Sequence, residues 1–581
     1  MSVFEEDQMK QAADFYKKLE QTNPKMSIGT VQKNIGNTGA ASGIASLIKT
    51  ALCLHHRFLP ANSPFEYPRP WIEHNLDTSN FKNLAYLPQR SAIVLGEKGV
   101  GIQLSDGRLV RNEQNIDLKI PSSNIEEKYK KNINSQRLSA SKTNDTLMPQ
   151  KLFILKGNNE AEINQQLAAL AIAADTKNTL TALAQQFYTK STTKQTAYTL
   201  VLIAKSKKEL ATEIKFFQKI IANAFKNGKA IKTPKGSYFT PNPLGKKGKV
   251  AFVYPGSATA YEGLGRELFQ LFPQLYEEFG DLKPDLDTYI NSKYLYPAAQ
   301  VSETKVAATS STLDIYQDTI AMMSSGVFFS AAYTHILRNV FKLEPQIAFG
   351  YSMGECSSMW YSTGVWNGDE TNEFRNSPIF KNRFAGNLDL LAEHWKISSK
   401  EAKERWVSLV VLADKKDVEK LVAPHENVYL TFINTNKEVI ISGDKTACQA
   451  IVQQLNCHTV EIPFQNIIHH HFCEKERAGL IKMHNFPLQE KPAIDFYSSI
   501  TQSKIQLDSL KIAENSTQVC VEQVNFPKTI ETIYQEGGRI FIEVGANATC
   551  TGWINENLKG QDFLATSINY KGNLDLSLIH I

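Results

Sequence analysis

Residues 346–360 read Q-I-A-F-G-Y-S-M-G-E-C-S-S-M-W. The apolar run Q-I-A-F predicts a strand, and the residues after Gly354 predict a helix. Between them, Gly350-Tyr351-Ser352-Met353-Gly354 has the G-x-S-x-G spacing of a nucleophile elbow. The physics is steric. A sharp turn lifts Ser352 Oγ out of the sheet, and glycine on both flanks removes Cβ atoms that would clash. The following helix N-terminus offers the Met353 backbone N–H to a developing oxyanion. A tight turn whose serine only caps a helix is the competing reading of the same residues.

Working outward, KVAFVYPG (249–256) predicts a strand at the start of the same unit. Residues 406–462 then alternate in an orderly way: strand WVSLVVLA, helix KKDVEKLVA, strands VYLTFINT and EVIISG, helix DKTACQAIVQQL and strand HTVEI. The order β-α-β-β-α-β is that of a ferredoxin-like unit. After it the chain returns to α/β, with AIDFYSSI (493–500) and RIFIEVG (539–545) as strands. Upstream, KLFILKG (151–157), helices at 160–174 and 179–187, strand TAYTLVLIAK (196–205) and a long amphipathic helix form a small α/β module. A Lys-, Gly- and Pro-rich connector (226–249) follows it. Residues 120–150 are polar and aperiodic and read as a linker. Residues 1–25 read as a polar helix, and 36–60 as small residues running into an apolar helix. There is no internal repeat.

The chain has 581 residues, enough for about four domains. With 64 Lys+Arg against 59 Asp+Glu the net charge is +5, which points to no nucleic-acid partner. Seven cysteines without a C-x-x-C pair argue against a disulfide framework and a structural zinc site. The N-terminus MSVFEEDQMK lacks an apolar signal region, and no run of apolar residues approaches a membrane span. The expectation is a cytoplasmic protein without a membrane partner or a bound metal.

A serine nucleophile needs a base. His469-His470-His471 follows the apolar pair Ile467-Ile468. A solvated loop, or a metal patch with Cys473, are the alternatives, although adjacent residues seldom converge on one ion.

Four motifs occur in order: KVAFVYPGSATAYEGLGREL, GYSMGE, FINTNKEVIISG and FIEVGANATCTGWI. Together they resemble the acyl-CoA:acyl-carrier-protein transacylase domain of fatty acid and polyketide synthases. Tyr351, where histidine is commoner, makes the chain most similar to the acyltransferase subunit of bacterial polyunsaturated fatty acid synthases. The resemblance covers about 250–570. It implies an α/β-hydrolase-like core (250–405 and 463–570) with the ferredoxin-like subdomain (406–462) inserted.

The resemblance further implies Ser352 as nucleophile. The family's base precedes by a little over twenty residues a proline that leads into a strand, and counting back from Pro492 lands on His469. A carbonyl from 522–525 would orient it. The Met353 and Ser257 N–H groups would form the oxyanion hole, in a loop that reads Pro255-Gly256-Ser257-Ala258-Thr259-Ala260 where the family usually has P-G-Q-G-S-Q. Gly256 and Asn434 are expected on the substrate side. Malonyl-selective members use an arginine to pair the substrate carboxylate. Ser377 stands at the expected spacing, so Arg383 is the candidate, with a surface ion pair as its alternative role. No bound cofactor is implied: acyl-CoA is the substrate, and a carrier protein supplies the phosphopantetheine. Acyl carrier protein and other synthase subunits are the expected partners. Lysines of the connector, among them Lys235, Lys246, Lys247 and Lys249, are candidates for attracting an acidic carrier.

VQKNIGNTGAASGIASLIKTALCLHHRFLPA (31–61) resembles the C-terminal part of a β-ketoacyl synthase. Gln32 and Asn37 replace that motif's lysine and histidine, so 1–120 is expected to be an inactive partial ketosynthase-like region. Residues 151–249 resemble the linker domain between synthase and transferase. Thioesterase-like hydrolysis and a non-catalytic scaffold are the competing functions.

Overall fold

The structure is a computed structural model that describes residues 150–192, 196–244, 248–272, 289–296, 315–366 and 377–570, with isolated residues between 272 and 289 and short segments upstream of 150. Upstream, Phe58–Leu59 pairs with Ala85–Tyr86 and Ser91–Leu95 with Gly101–Ser105, both antiparallel. Phe58–Leu59, at the end of the expected apolar helix, is therefore strand; Leu59 precedes Pro60, which favours extended backbone. The helix expected at 1–25, the linker at 120–150, and Gln32 and Asn37 lie outside the described residues.

The small module consists of β1 (Lys151–Gly157), α1 (Glu160–Ala174), α2 (Leu180–Thr192), β2 (Tyr198–Ala204), α3 (Lys207–Asn227), β3 (Ile231–Lys232) and β4 (Tyr238–Phe239). Asn159 and Ser206 cap α1 and α3 by accepting from the Glu162 and Glu209 N–H groups, and Gly228 closes α3 in the left-handed region. The sheet order is β1-β2-β4-β3, antiparallel throughout. This corrects the reading of 226–249 as a plain connector. Phe239 is fully buried in the module core, and Ser237 Oγ accepts from Ile203 N at 2.9 Å, so 231–239 completes the sheet. Lys235 pairs with Glu209 at 3.4 Å, and Lys246 and Lys247 lie outside the described residues.

The larger unit begins with β5 (Lys249–Tyr254), α4 (Thr319–His335) and β6 (Ile347–Gly350). An insertion follows: β7 (Trp406–Val411), α5 (Lys415–Val422), β8 (Val428–Thr435), β9 (Glu438–Asp444), α6 (Lys445–Leu455) and β10 (Thr459–Glu461). The chain then returns through β11 (Asp495–Tyr497), α7 (Ser509–Val521), β12 (Val524–Asn525), α8 (Phe526–Gln535), β13 (Gly538–Glu543), α9 (Thr549–Asn557) and β14 (Leu564–Ser567). The core sheet has the order β11-β6-β5-β13-β14, with every pair parallel. Its central strands are covered on both faces, which is why β6 is apolar at every position.

The insertion forms an antiparallel sheet, β10-β7-β9-β8, the strand order of a ferredoxin-like unit. β12, from the core, adds to it parallel to β8 and ties the two sheets together. Helix α4 was not legible in the sequence pattern. It is apolar all round and mostly buried, with Asp318 capping it through the Ala321 N–H. Continued to Val340, it is the one described helix long and apolar enough to cross a membrane by length and composition, and most of it lies inside the core.

Candidate active site

β6 ends at the elbow, and steric exclusion explains its glycines. A Cβ on Gly350 would lie 2.1 Å from Glu355 N, and one on Gly354 would lie 1.9 Å from Tyr254 O. Ser352 itself sits at φ 54°, a left-handed conformation that costs a non-glycine residue about 1 kcal/mol or more. The helix after the turn starts with wide π-type spacing over Gly354–Ser358. Glu355 anchors it from within: its buried carboxylate accepts from Ser499 N and Asn515 Nδ2, each at 2.8 Å. Burial raises the Glu355 pKa, and these hydrogen bonds oppose the rise. Nothing in the motif G-Y-S-M-G-E gives Glu355 this role, because its partners lie more than 140 residues away along the chain.

Across the turn, Ser352 Oγ and His469 Nε2 are 2.8 Å apart. Both side chains are nearly inaccessible, 4% and 3% exposed. His469 is also left-handed, at φ 67°, and its N–H donates to Cys520 O at 2.7 Å. Burial lowers the His469 pKa to about 4, against an opposing pull from the backbone carbonyls of Val519 and Glu522. His469 Nδ1 nevertheless makes no hydrogen bond of ordinary geometry to a described residue, so the carbonyl expected from 522–525 is not seen to orient the ring. At neutral pH the imidazole is uncharged and can accept a proton.

His470 points elsewhere. Its ring stacks on Phe472 at 5.0 Å and meets Trp406 and Tyr429 edge-on. His471 is exposed. The three histidines diverge, and among the described residues no group of three or more His, Cys, Asp or Glu is placed to hold a metal.

Ser352 and His469 face a small cavity of about 30 Å³ that Ser257 and Met353 also line. Its remaining wall is largely apolar, including Met323, Phe380, Phe384 and Ile468. So the structure brings four of the expected residues together.

It places three others differently. Gly256 is absent from the cavity wall. A Cβ there would lie 2.9 Å from the Tyr351 ring, so this glycine serves close packing of the loop on the elbow. Asn434 is fully buried, accepts from Tyr351 Oη at 2.7 Å and donates to Glu438 at 3.0 Å. It supports the elbow and does not face the cavity. Arg383 is also turned away. Its guanidinium donates to both oxygens of Glu393, at 2.7 and 2.9 Å, and to Glu476 at 2.6 Å. Those two carboxylates occupy the fork that would have clasped a substrate carboxylate.

Comparison with known proteins gives a consistent picture. Residues 7–66 match the family described as beta-ketoacyl synthase, C-terminal domain. A polyunsaturated fatty acid synthase polypeptide of Thraustochytrium sp. is 27% identical over 603 residues, covering 95% of this chain and 28% of that protein. The chain spans less than a third of the length of the curated relatives it matches. The acyltransferase domain from module 8 of the salinomycin polyketide synthase superposes with a TM-score of 0.56 at 15% identity, over 74% of this chain and 94% of that one. The acyltransferase domain of SpnD, in complex with 2-(pent-4-yn-1-yl)malonyl, gives 0.54 at 15% identity, over 73% and 92%. The chain therefore has the fold of a synthase acyltransferase domain, an α/β core with an inserted ferredoxin-like unit, preceded by a partial ketosynthase-like region.

Proposed function

We propose that this chain is an acyltransferase that moves an acyl group, malonyl or another, from coenzyme A through an ester on Ser352 to an acyl carrier protein, in polyunsaturated fatty acid or polyketide synthesis. The observation that carries the reading is the 2.8 Å contact between Ser352 Oγ and His469 Nε2 at the wall of a mostly apolar cavity. In the first half-reaction His469 takes the hydroxyl proton as Oγ attacks the thioester carbon. Backbone N–H groups of Met353 and Ser257 stabilise the oxyanion. Collapse breaks the C–S bond, and His469 returns the proton to the departing thiolate. In the second half-reaction the phosphopantetheine thiol of the carrier gives its proton to His469 as its sulfur attacks the ester carbon; the C–Oγ bond then breaks and His469 returns the proton to Ser352 Oγ. No resident cofactor is required. Acyl-CoA, the carrier and other synthase subunits are the proposed partners, and the cytoplasm the proposed location.

The near-complete burial of Ser352 and His469 supports transfer over hydrolysis, because an acyl-enzyme shielded from water survives until a thiol arrives. The test is intact-protein mass spectrometry with a panel of acyl-CoAs, followed by a chase with holo carrier protein or with buffer alone. An ester that decays faster with carrier is the expected result. Decay at the same rate in both would favour the thioesterase alternative, and no adduct with any thioester would favour the scaffold.

The engagement of Arg383 leads to a second expectation. Arg383→Gln should leave the ratio of kcat/KM for malonyl-CoA to that for acetyl-CoA within about twofold of the parent, while costing on the order of 1 kcal/mol of stability. A selective loss of malonyl transfer would return Arg383 to the substrate side.

A further inference from the structure

His469 Nδ1 has no hydrogen-bond partner among the described residues, and an aromatic assembly braces the ring. The Phe432 ring meets the imidazole at 4.4 Å between centroids and 63° between planes. Phe432 in turn stacks on Tyr351 at 5.0 Å and 26°. Tyr351 is held in place by Trp553 at 4.7 Å and Phe526 at 5.3 Å, and by its hydroxyl on Asn434. Glu438 Oε1 closes the set, accepting from Asn434 Nδ2 at 3.0 Å and from Trp553 Nε1 at 2.8 Å. The assembly joins the elbow, β8, β9 and α9, so it links the inserted unit to both halves of the core.

Building on the Ser352–His469 chemistry above, we propose that Phe432, braced by Tyr351, is a positioning residue that sets the rotation of the His469 ring so that Nε2 faces Ser352 Oγ. An imidazole has a rotatable ring, and a small rotation moves Nε2 away from the hydroxyl. Edge-to-face contacts are directional and contribute about 0.5–1.5 kcal/mol beyond burial, enough to favour one ring orientation. Tyr351 occupies the elbow position directly before the nucleophile, so one side chain couples the placement of the base to the turn that presents Ser352. Asn434 then acts through Tyr351 as the buried acceptor that fixes its ring.

The test is covalent labelling of Ser352 by a fluorophosphonate in the full chain. Oγ forms a bond to phosphorus, fluoride leaves, and the proton passes to His469, so no acyl substrate is needed. Phe432→Leu and Tyr351→Leu should each slow labelling by about tenfold. The double variant should be little slower than the slower single, because the two act as one unit. The pH profile separates positioning from general loosening. Phe432 covers the imidazole, and its loss admits water, so the acid midpoint of labelling should rise from about 4 toward 6.5. The other titratable groups on the cavity wall are Cys356, Cys520 and His484, and His470 is next in the chain. Tyr351→Phe keeps the stack but loses the bond to Asn434 that fixes the ring, so its labelling rate should fall between those of the parent and Tyr351→Leu.

Phe432→Met is the milder substitute if Phe432→Leu unfolds. Parent rate and parent midpoint in a folded Phe432 variant would overturn the positioning role alone. Failure of the parent chain to label at Ser352, or labelling indifferent to His469→Ala, would overturn the dyad and the positioning role with it.

Discussion

Ser352→Ala is expected to abolish acyl-enzyme formation with every thioester while leaving the fold intact. Oγ is the only atom removed, and Ala meets the same left-handed backbone at φ 54° that Ser already tolerates. The structural cost is the hydrogen bond to His469 Nε2, which leaves a buried acceptor unpaired and is worth about 1 kcal/mol, small against the stability of a domain. The chemical cost is the whole covalent route. Intact mass after incubation with acyl-CoA reads it directly, and a melting curve checks the fold. An acyl mass on the variant would point to another nucleophile in the cavity, where Cys356 lies one turn beyond the elbow. The hydrogen bond with Cys520, and then burial, hold that thiol well above its ordinary pKa, which argues against it as a nucleophile.

His469→Ala should slow acylation by a factor on the order of 10² to 10⁴, the usual contribution of a general base. His470→Ala should change the rate per folded molecule little, since that ring is enclosed by Trp406, Tyr429 and Phe472. The pH profile carries the sign. A base works in its neutral form, and burial holds the His469 pKa at about 4. The parent rate should therefore be level through neutral pH and fall only as pH drops through about 4. A histidine at its ordinary value would lose activity near 6.5. Ser352 labelling across pH 3–8 measures this, and the acid limb should vanish in His469→Ala. A large loss in His470→Ala with none in His469→Ala would move the base by one residue.

The elbow was legible because its spacing is fixed and an apolar strand before it marks the turn. Gly350 is needed where the chain crosses itself at Glu355, five residues on, whereas Gly354 clears Tyr254 O on β5, a contact with a distant segment. The inserted unit was legible for a similar reason. Its strands alternate or run apolar, and α5 and α6 carry their apolar residues on one side, burying Val418 and Val422, and Cys448 and Ile451. Helix α4 failed the same test. A helix buried on all sides has no polar stripe, so periodicity cannot mark it. The hairpin at 231–239 was hidden by its short strands and by a lysine- and glycine-rich composition that resembles a connector.

The amino-acid sequence by itself determined the chemistry available at this site: a serine on a forced turn, a histidine trio at a usable distance along the chain, and an α/β core with an insertion. Backbone sterics and hydrophobic period act between near neighbours and leave marks in any single chain. Which group faces which was decided only by the tertiary structure. His469 and His470 are adjacent, yet the left-handed backbone at His469 turns one toward Ser352 and the next into an aromatic cage. Arg383 is claimed by Glu393 and by Glu476, which is 93 residues away, and Asn434 bridges the elbow and β9 instead of lining the cavity. A buried donor takes whatever acceptor the packed fold brings within about 3 Å, and that partner is set by the meeting of distant segments and not by the spacing along the chain.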